Sequence, residues 1–506
     1  MIINVNFNID ANNRLRLEEL NNMKKSLVIL AAVVFCMSMM FTFAGCGKEK
    51  RQIIKLTLST EDSEAILAAA GIMLPDAETT SAAGTTVDFY AWGDPFHNYS
   101  DDEIINTGYW TFSQKYGCDV NWIECEYGER FDGLANLILA GTSPDFYGAY
   151  PENFPEKPIK RMFQPVDTYI DYDDALWSGM KDFAYNYFSL GGRTYVMATD
   201  NYAGPVCAYN RRVVEEWGFD DPAELYANDE WTWDIFYEMC VDFSDPDENR
   251  YALDGFSYSS GLMHSSGIGV VEYDPAQNKY ISNIDEPGLE RAATLLYNLA
   301  KNQCMFPTWK NGYSIRNGVE GGGIKEGDCL FYIRHDYCFT GPVADISNVW
   351  GDVREGEVMF CPTPRDPQGD GKYYIESMPG GYFLVKGAEN PEGVALLAAC
   401  ERFKVLDPTV ISIDKRQKEE IYLWTQEMLD MWDTCHALAN NSEHTLIYYE
   451  YGLGKQLADV VSTIEGNGHS NDAKTWAQLK ESNSEKLAYY VDELNKQISE
   501  FDPDAA

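Results

Sequence analysis

Between Thr86 and Tyr147 the chain alternates strand and helix signals, and that alternation constrains the fold more than any other feature. Thr86-Val87-Asp88-Phe89-Tyr90-Ala91-Trp92 reads as a strand, stopped by Gly93-Asp94-Pro95. A helical stretch follows over Glu103–Tyr116, then a strand at Asp119–Ile123 and a helix at Glu129–Ala140. Gly141-Thr142-Ser143-Pro144 breaks that helix, and Asp145-Phe146-Tyr147 starts a third strand. Strand, helix, strand, helix, strand is the pattern of a parallel α/β sheet.

The rest of the chain keeps mixing element types. Asn210–Trp217 reads as helical and Gly218 ends it; Thr232 is the expected N-cap of a helix running through Val241. Pro287–Lys301 carries Leu289, Ala292, Ala293, Leu296 and Leu299 on one helical face. Val358-Met359-Phe360 and Tyr382-Phe383-Leu384-Val385 read as short strands, and Asn390 caps a helix with Pro391 at its first position. From Lys415 onward the pattern is largely helical, and no internal repeat is visible. At 506 residues and 45% apolar content the chain builds two or three domains or one large two-lobed unit, and disorder is excluded as its main state.

Charge narrows the partners. The 39 Lys+Arg against 80 Asp+Glu leave −41, so the chain repels nucleic-acid phosphates and anionic lipid. Any membrane attachment must therefore be apolar or covalent. The first 45 residues hold four Lys/Arg and three Asp/Glu, so the acidity belongs to the remainder.

Met23-Lys24-Lys25 precedes an apolar run, Leu27–Ala44, that ends Phe43-Ala44-Gly45-Cys46. Lysines, an apolar stretch and small residues before a boundary form a secretory signal peptide. The small pair before Cys46 resembles a lipobox, where bacterial lipoproteins are diacylated on Cys and cleaved just before it; Phe43 departs from the usual Leu. The alternative is a retained spanning helix over the same 18 residues, near the lower limit for crossing a bilayer. Either way the remainder is expected outside the cytoplasm, on the cell membrane. Residues 1–22 fit neither part and are expected to be a start-site artefact, since a signal peptide begins naturally at Met23. The small and polar residues of 46–85 predict a lipid-anchored tether, with a short helix at Ile66–Ala70. Ten cysteines remain after Cys36 and Cys46; no CxxC or zinc-finger spacing occurs. Export permits disulfides, with Cys118–Cys125 and Cys329–Cys338 as near-sequence candidates, and free buried thiols are the alternative.

Six motifs, in order, resemble the bacterial ABC-transporter extracellular solute-binding proteins, in their carbohydrate-binding lipoprotein branch. They are the lipobox; Tyr116-Gly117-Cys118-Asp119-Val120 with Leu137–Asp145; Pro205–Arg211; Trp231-Thr232-Trp233-Asp234; Ile324–Cys329; and Pro379–Val385 continuing through Gly387–Glu392. Asp328-Cys329 departs from two small residues, and the tether is longer than usual. The resemblance covers nearly the whole mature length. It implies an α/β, two-lobed, type II periplasmic-binding-protein-like fold. Lobe 1 is expected over 86–204 with 362–405, and lobe 2 over 205–361 with 406–506. It further implies hinge closure on a sugar or oligosaccharide, delivery to ABC permease subunits, a monomer, no chemistry on the ligand, and no cofactor or metal. Hinges are expected near Gly204–Tyr209, Val358–Pro362 and Val405–Pro408.

Ligands of open α/β sheets sit outside the carboxyl ends of strands. Sugars need aromatic rings for their C–H faces and planar polar groups for their hydroxyls. Trp92 and Tyr150 are stacking candidates, with Asp94 and Glu152 as hydroxyl acceptors; core packing for Trp92 and turn capping for Asp94 stay open. Tyr202 is a cleft-floor or hinge-packing residue. By the resemblance Arg334-His335 ends a strand facing the cleft, the alternative being a surface pair; Gly380, Trp309 and, more weakly, Tyr448 complete the candidates. Trp231 and Trp233 are expected to be structural. Asp366–Gly371 lacks EF-hand spacing and reads as a solvated hairpin. A secreted glycoside hydrolase, needing only two carboxylates about 5–10 Å apart, is the competing function, with a surface adhesin third. No GxSxG, HExxH or Walker motif supports another catalytic class.

Overall fold

In a computed structural model, which describes residues 51–255, 257–307, 323–335, 349–447, 450–469 and 473–503, a six-stranded and a four-stranded sheet belong to one unit that runs from Ile54 onward. Its principal elements begin with α1 (Thr60–Met73), β1 (Thr86–Ala91), α2 (Thr107–Tyr116), β2 (Asp119–Glu124), α3 (Arg130–Ala140) and β3 (Phe146–Gly148). β4 (Val196–Ala203) leads to β5 (Val206–Asn210), and then come α4 (Trp233–Phe243), β6 (Tyr251–Asp254), α5 (Tyr258–His264) and α6 (Pro287–Lys301). β7 (Cys329–Arg334) and β8 (Val358–Pro362) precede β9 (Ile375–Leu384), α7 (Pro391–Leu406), α8 (Pro408–Ile421) and α9 (Gln426–Ala439). β10 (Thr445–Ile447), α10 (Lys455–Glu465) and α11 (Trp476–Glu500) close the fold.

Local chemistry sets these boundaries. The Asn106 side chain accepts from the backbone N–H groups of Gly108 and Tyr109, starting α2, and Gly117 ends it at φ 64. β1 buries Val87, Phe89, Tyr90 and Ala91, so it is covered on both faces, as a central parallel strand must be. Asp145 explains the Pro-Asp pair that follows α3. One carboxylate oxygen accepts from Asp88 N at 2.9 Å, the other from Glu389 N and Asn390 N at 2.8 Å each. A single buried side chain thereby ties β1 to the start of α7.

The first sheet runs in the order β10-β9-β3-β1-β2, with β4 also paired to β9. The second runs β8-β5-β7-β6. The chain passes from first to second through Gly204-Pro205, and returns through the stretch between Pro362 and Ile375. Gly204 is required there: a Cβ would stand 2.4 Å from the Glu376 carbonyl oxygen, which accepts the Gly204 N–H.

Two sequence expectations change. The tether expected over 46–85 is folded from Thr60 onward. Ile66 and Ala70 of α1 are fully buried, Lys115 donates to the Ala70 carbonyl at 2.7 Å, and Tyr116 OH donates to the Pro75 carbonyl at 2.7 Å. α1 packs on α2 and α8, so this stretch is part of the first lobe. The lobe boundary expected at 405–406 also moves. α8 lies against α7 and α1, so 408–421 stays with the first lobe and Val405–Pro408 is a turn within it. α9 touches β4 and β9 of one sheet and β8 of the other, while α11 packs on α6 and on the Val271–Ser282 hairpin of the second lobe. Among the described residues no helix is long and apolar enough to cross a membrane.

Candidate functional site

Strand direction places the site. β1, β2 and β3 are parallel, β9 runs against β3, and β4 runs against β9. The carboxyl ends of β1, β3 and β4 therefore lie on one side of the first sheet. In the second sheet β7 and β8 run against β5, and Arg334 and Pro362 both stand in register with Val206. Both sheets thus turn carboxyl ends toward the Gly204-Pro205 crossing.

At the first sheet's end an aromatic cluster forms. The Trp92 ring lies 4.6 Å from that of Tyr150 and 4.9 Å from that of Tyr127, the latter edge-on. Tyr127 is 54% exposed, and Trp92 and Tyr150 are half-buried. Arg130, at the start of α3, lays its guanidinium over Tyr127 at 3.9 Å and Phe131 at 4.9 Å. Its Nη2 and Nε bond Glu152 Oε1 at 2.9 and 3.2 Å. Glu152 is buried, in a single turn opened by Pro151. Burial above all, with the Glu152 carboxylate adding to it, pushes the Tyr150 hydroxyl well above its ordinary range, so it stays protonated and able to donate. This surface offers flat apolar faces with polar edges and one fixed ion pair.

Trp92, Tyr150 and Glu152, the candidates expected from the sequence, are brought together by the fold. Asp94 requires correction as an open hydroxyl acceptor. Its side chain is 1% exposed; Oδ1 accepts from Phe96 N and His97 N, while Oδ2 takes His97 Nδ1 at 2.7 Å and Tyr99 OH at 2.5 Å. Burial raises its pKa, but these hydrogen bonds more than offset that and hold it below the usual carboxylate range. Turn capping is its role. Tyr202 lies on β4 near the crossing, its ring 6.1 Å from His436, which in turn meets Trp432 at 3.9 Å. Gly380 acts through that ring: a Cβ there would stand 2.7 Å from Tyr202 Cε2. Arg334 ends β7 beside the crossing, with His335 next to it. Trp309, Tyr448 and Cys46 lie outside the described residues.

Tyr127, Arg130, Trp432 and His436 were missed. Arg130 sits in a segment read only as helix, and nothing in its neighbours' spacing signals Glu152, 22 positions away. Also missed is a buried joint beside the crossing. His264, at the end of α5, places Nδ1 2.8 Å from Glu376 Oε2 on β9, and Nε2 3.1 Å from Glu465 Oε1 on α10. All three side chains are at most 5% exposed. Burial pulls the His264 pKa down, but the two carboxylates outweigh it and raise it to about 10, so the ring is an imidazolium at neutral pH. Glu272 also faces it, its own pKa raised by burial.

Trp231 is fully buried with Nε1 donating to the Pro362 carbonyl, and Trp233 Nε1 donates to Ser265 Oγ. Asp366 is tied to Arg291 and to Gln368 N, as a turn residue rather than a cation ligand, and no acidic or His/Cys cluster among the described residues fits a metal ion. The Cys118–Cys125 pairing fails, because both are free and the extended strand β2 separates them. Cys338, and with it the Cys329 pairing, falls outside the described residues. Two surface cavities, about 590 Å³ beside Arg211, Arg212 and Arg354 and about 630 Å³ beside Trp233, Tyr237 and Arg291, contain none of the aromatic cluster.

Residues 96–399 match the family model described as bacterial extracellular solute-binding protein. No curated protein matches the chain. Among solved structures, an ABC substrate-binding protein from Listeria monocytogenes in complex with cycloalternan is 13% identical at TM-score 0.55, covering 82% of this chain and 99% of its own. An ABC transporter solute-binding protein from Thermotoga lettingae bound with α-D-tagatose is 14% identical at TM-score 0.54, with 82% and 100% covered. The galacto-N-biose/lacto-N-biose I-binding protein from Bifidobacterium longum, in complex with lacto-N-biose, is 14% identical at TM-score 0.54, with 80% and 97% covered. At such identities the likeness establishes the fold: two α/β lobes of the periplasmic-binding-protein type.

Proposed function

The chain belongs to the bacterial extracellular solute-binding proteins, and from that premise we propose that it captures a carbohydrate between its lobes and hands it to an ABC permease. The observation that carries the carbohydrate reading is the Trp92–Tyr127–Tyr150 cluster, held by Arg130 and Glu152 at the carboxyl ends of the first sheet. Aromatic faces accept the C–H surfaces of a pyranose, and protonated tyrosine edges and the fixed ion pair meet its hydroxyls. The sugars held by the similar solved structures support the same class.

In this reading the lobes close by rotation about Gly204-Pro205 and the return stretch before β9. Trp92, Tyr150, Glu152 and Tyr202 are ligand residues, Gly380 positions Tyr202, and Arg334 and His335 meet the ligand from the second lobe. The protein works as a monomer, anchored to the outer face of the cell membrane through lipid on Cys46, and leaves its ligand chemically unchanged. No observation favours the hydrolase: Asp94 is consumed by its turn and does not serve as a second carboxylate beside Glu152.

A thermal-shift screen of the mature protein against mono- and oligosaccharides tests this. A ligand binding only the folded state at a hundredfold over its dissociation constant adds about 2.7 kcal/mol. One glycan family should raise the melting temperature and be recovered intact. Cleaved glycan would replace the reading with a hydrolase, and a flat screen on folded protein would remove the sugar. Small-angle scattering should show contraction with ligand, and Cys46→Ala should abolish incorporation of labelled palmitate.

A further inference from the structure

Cys207 and Cys361 stand directly opposite each other in the antiparallel pair β5–β8. Residues so paired have Cα atoms about 4.5–5.5 Å apart, inside the roughly 4.4–6.8 Å that a disulfide spans, and project to the same face. Both are fully buried, and Cys207 is among the groups that act on the Cys361 thiol. No other two described cysteines face each other across a sheet. Their location is also specific. Cys207 is the second residue of β5, just after the Gly204-Pro205 crossing, and Cys361 precedes Pro362, where the chain leaves β8 to return. The pair joins the two points at which the connections leave the second sheet.

We propose that Cys207 and Cys361 form a redox modification site, converted to a disulfide by a low-molecular-weight disulfide such as oxidised glutathione. One thiol, as its thiolate, attacks the reagent's sulfur–sulfur bond, expelling one reagent thiol and leaving a mixed disulfide. The second thiolate attacks the protein sulfur of that intermediate and expels the other reagent thiol. Two protein thiols and one reagent disulfide become one protein disulfide and two reagent thiols; the protein gives up two electrons, and the reagent takes them with the two protons.

Access comes through the edge. β8 is the outer strand of its sheet, so it opens at lower cost than the strands inside. Burial above all, with Cys207 alongside, holds the Cys361 thiol well above its ordinary range, which suppresses the thiolate and makes oxidation slow in the packed state. The link, once made, fixes the spacing of the two inter-lobe connections that adjoin it.

The test is thiol counting and non-reducing peptide mapping of the mature protein before and after oxidised glutathione. One sample stays folded and another is refolded through its denaturation midpoint in the reagent. The expected result is a loss of two thiols, one linked pair containing Cys207 and Cys361, reversal by dithiothreitol, and a higher denaturation midpoint for the linked form. Cys361→Ser and Cys207→Ala should each remove the linked peptide and the midpoint shift. Retention of both thiols in the refolded wild type, or a link mapped elsewhere, such as Cys240 to Cys304, would overturn the proposal. Wild-type protein alone decides it, so a poorly folding variant costs nothing, and glycan binding is read separately.

Discussion

The aromatic wall at the ends of β1 and β3 and the joint around His264 lie on the same side of the first sheet, yet they are built on opposite chemistry. The wall leaves Tyr127, Trp92 and Tyr150 partly uncovered and confines charge to one ion pair. The joint hides three charges from water and ties α5 to β9 and α10. Uncovered aromatic surface has little to lose until something packs on it. A buried imidazolium between two carboxylates is already spent on the fold. The wall should therefore govern affinity, and the joint should govern stability.

Four measurements bear on that division. The largest effect is expected from His264→Ala. It leaves Glu376 and Glu465 buried without their cation and should lower unfolding stability in urea by about 3–5 kcal/mol. A loss below about 1 kcal/mol would show that the joint is not a structural element. Trp92→Ala comes next, at about 2 kcal/mol of ligand affinity, or roughly 30-fold in dissociation constant by calorimetry. If stability fell by more than affinity did, the wall would be core and the contrast would fail.

The third effect is a slope with pH. The His264 pKa is raised from 6.5 to about 10 on folding, so the folded state binds more protons between those values. The joint's contribution is complete below pH 6.5 and is lost as pH rises toward 10, at no more than about 1.4 kcal/mol per pH unit. His264→Gln should flatten that slope in denaturation midpoints taken at pH 7, 8 and 9, and an unchanged slope would assign it to other groups. The smallest effect is expected from Asp94→Asn. It should cost about 1 kcal/mol of stability by weakening the turn, with ligand affinity changed less than twofold. A tenfold loss of affinity would return Asp94 to the ligand site.

Legibility followed sequence distance. The βαβ run over 86–148 was readable because its elements carry local signals, apolar runs stopped by Gly93-Asp94-Pro95 and by Gly141-Thr142-Ser143-Pro144, whereas the Asn106 cap went unread and the helix expected from Glu103 begins at Thr107. α1 was misread because only Ile66 and Ala70 of its length are buried, so its composition resembles a linker while its packing does not. Trp92, Tyr150 and Glu152 were singled out from their place after predicted strands. Arg130 and His264 were not, since their partners lie 22, 112 and 201 positions away. Asp94 shows the remaining ambiguity: the residue type suited to a sugar hydroxyl is also the one suited to capping a turn.

By itself the sequence determined the α/β class, the strand–helix alternation over 86–148 and the family, because those rest on local periodicity, turn residues and short motifs. The tertiary structure decided that α1 and α8 join the first lobe, which aromatic rings share a wall, which carboxylates are already occupied, and that two cysteines 154 positions apart face each other. Those outcomes depend on which surfaces meet when the sheets assemble, and pairing at long range leaves no periodic trace in one chain.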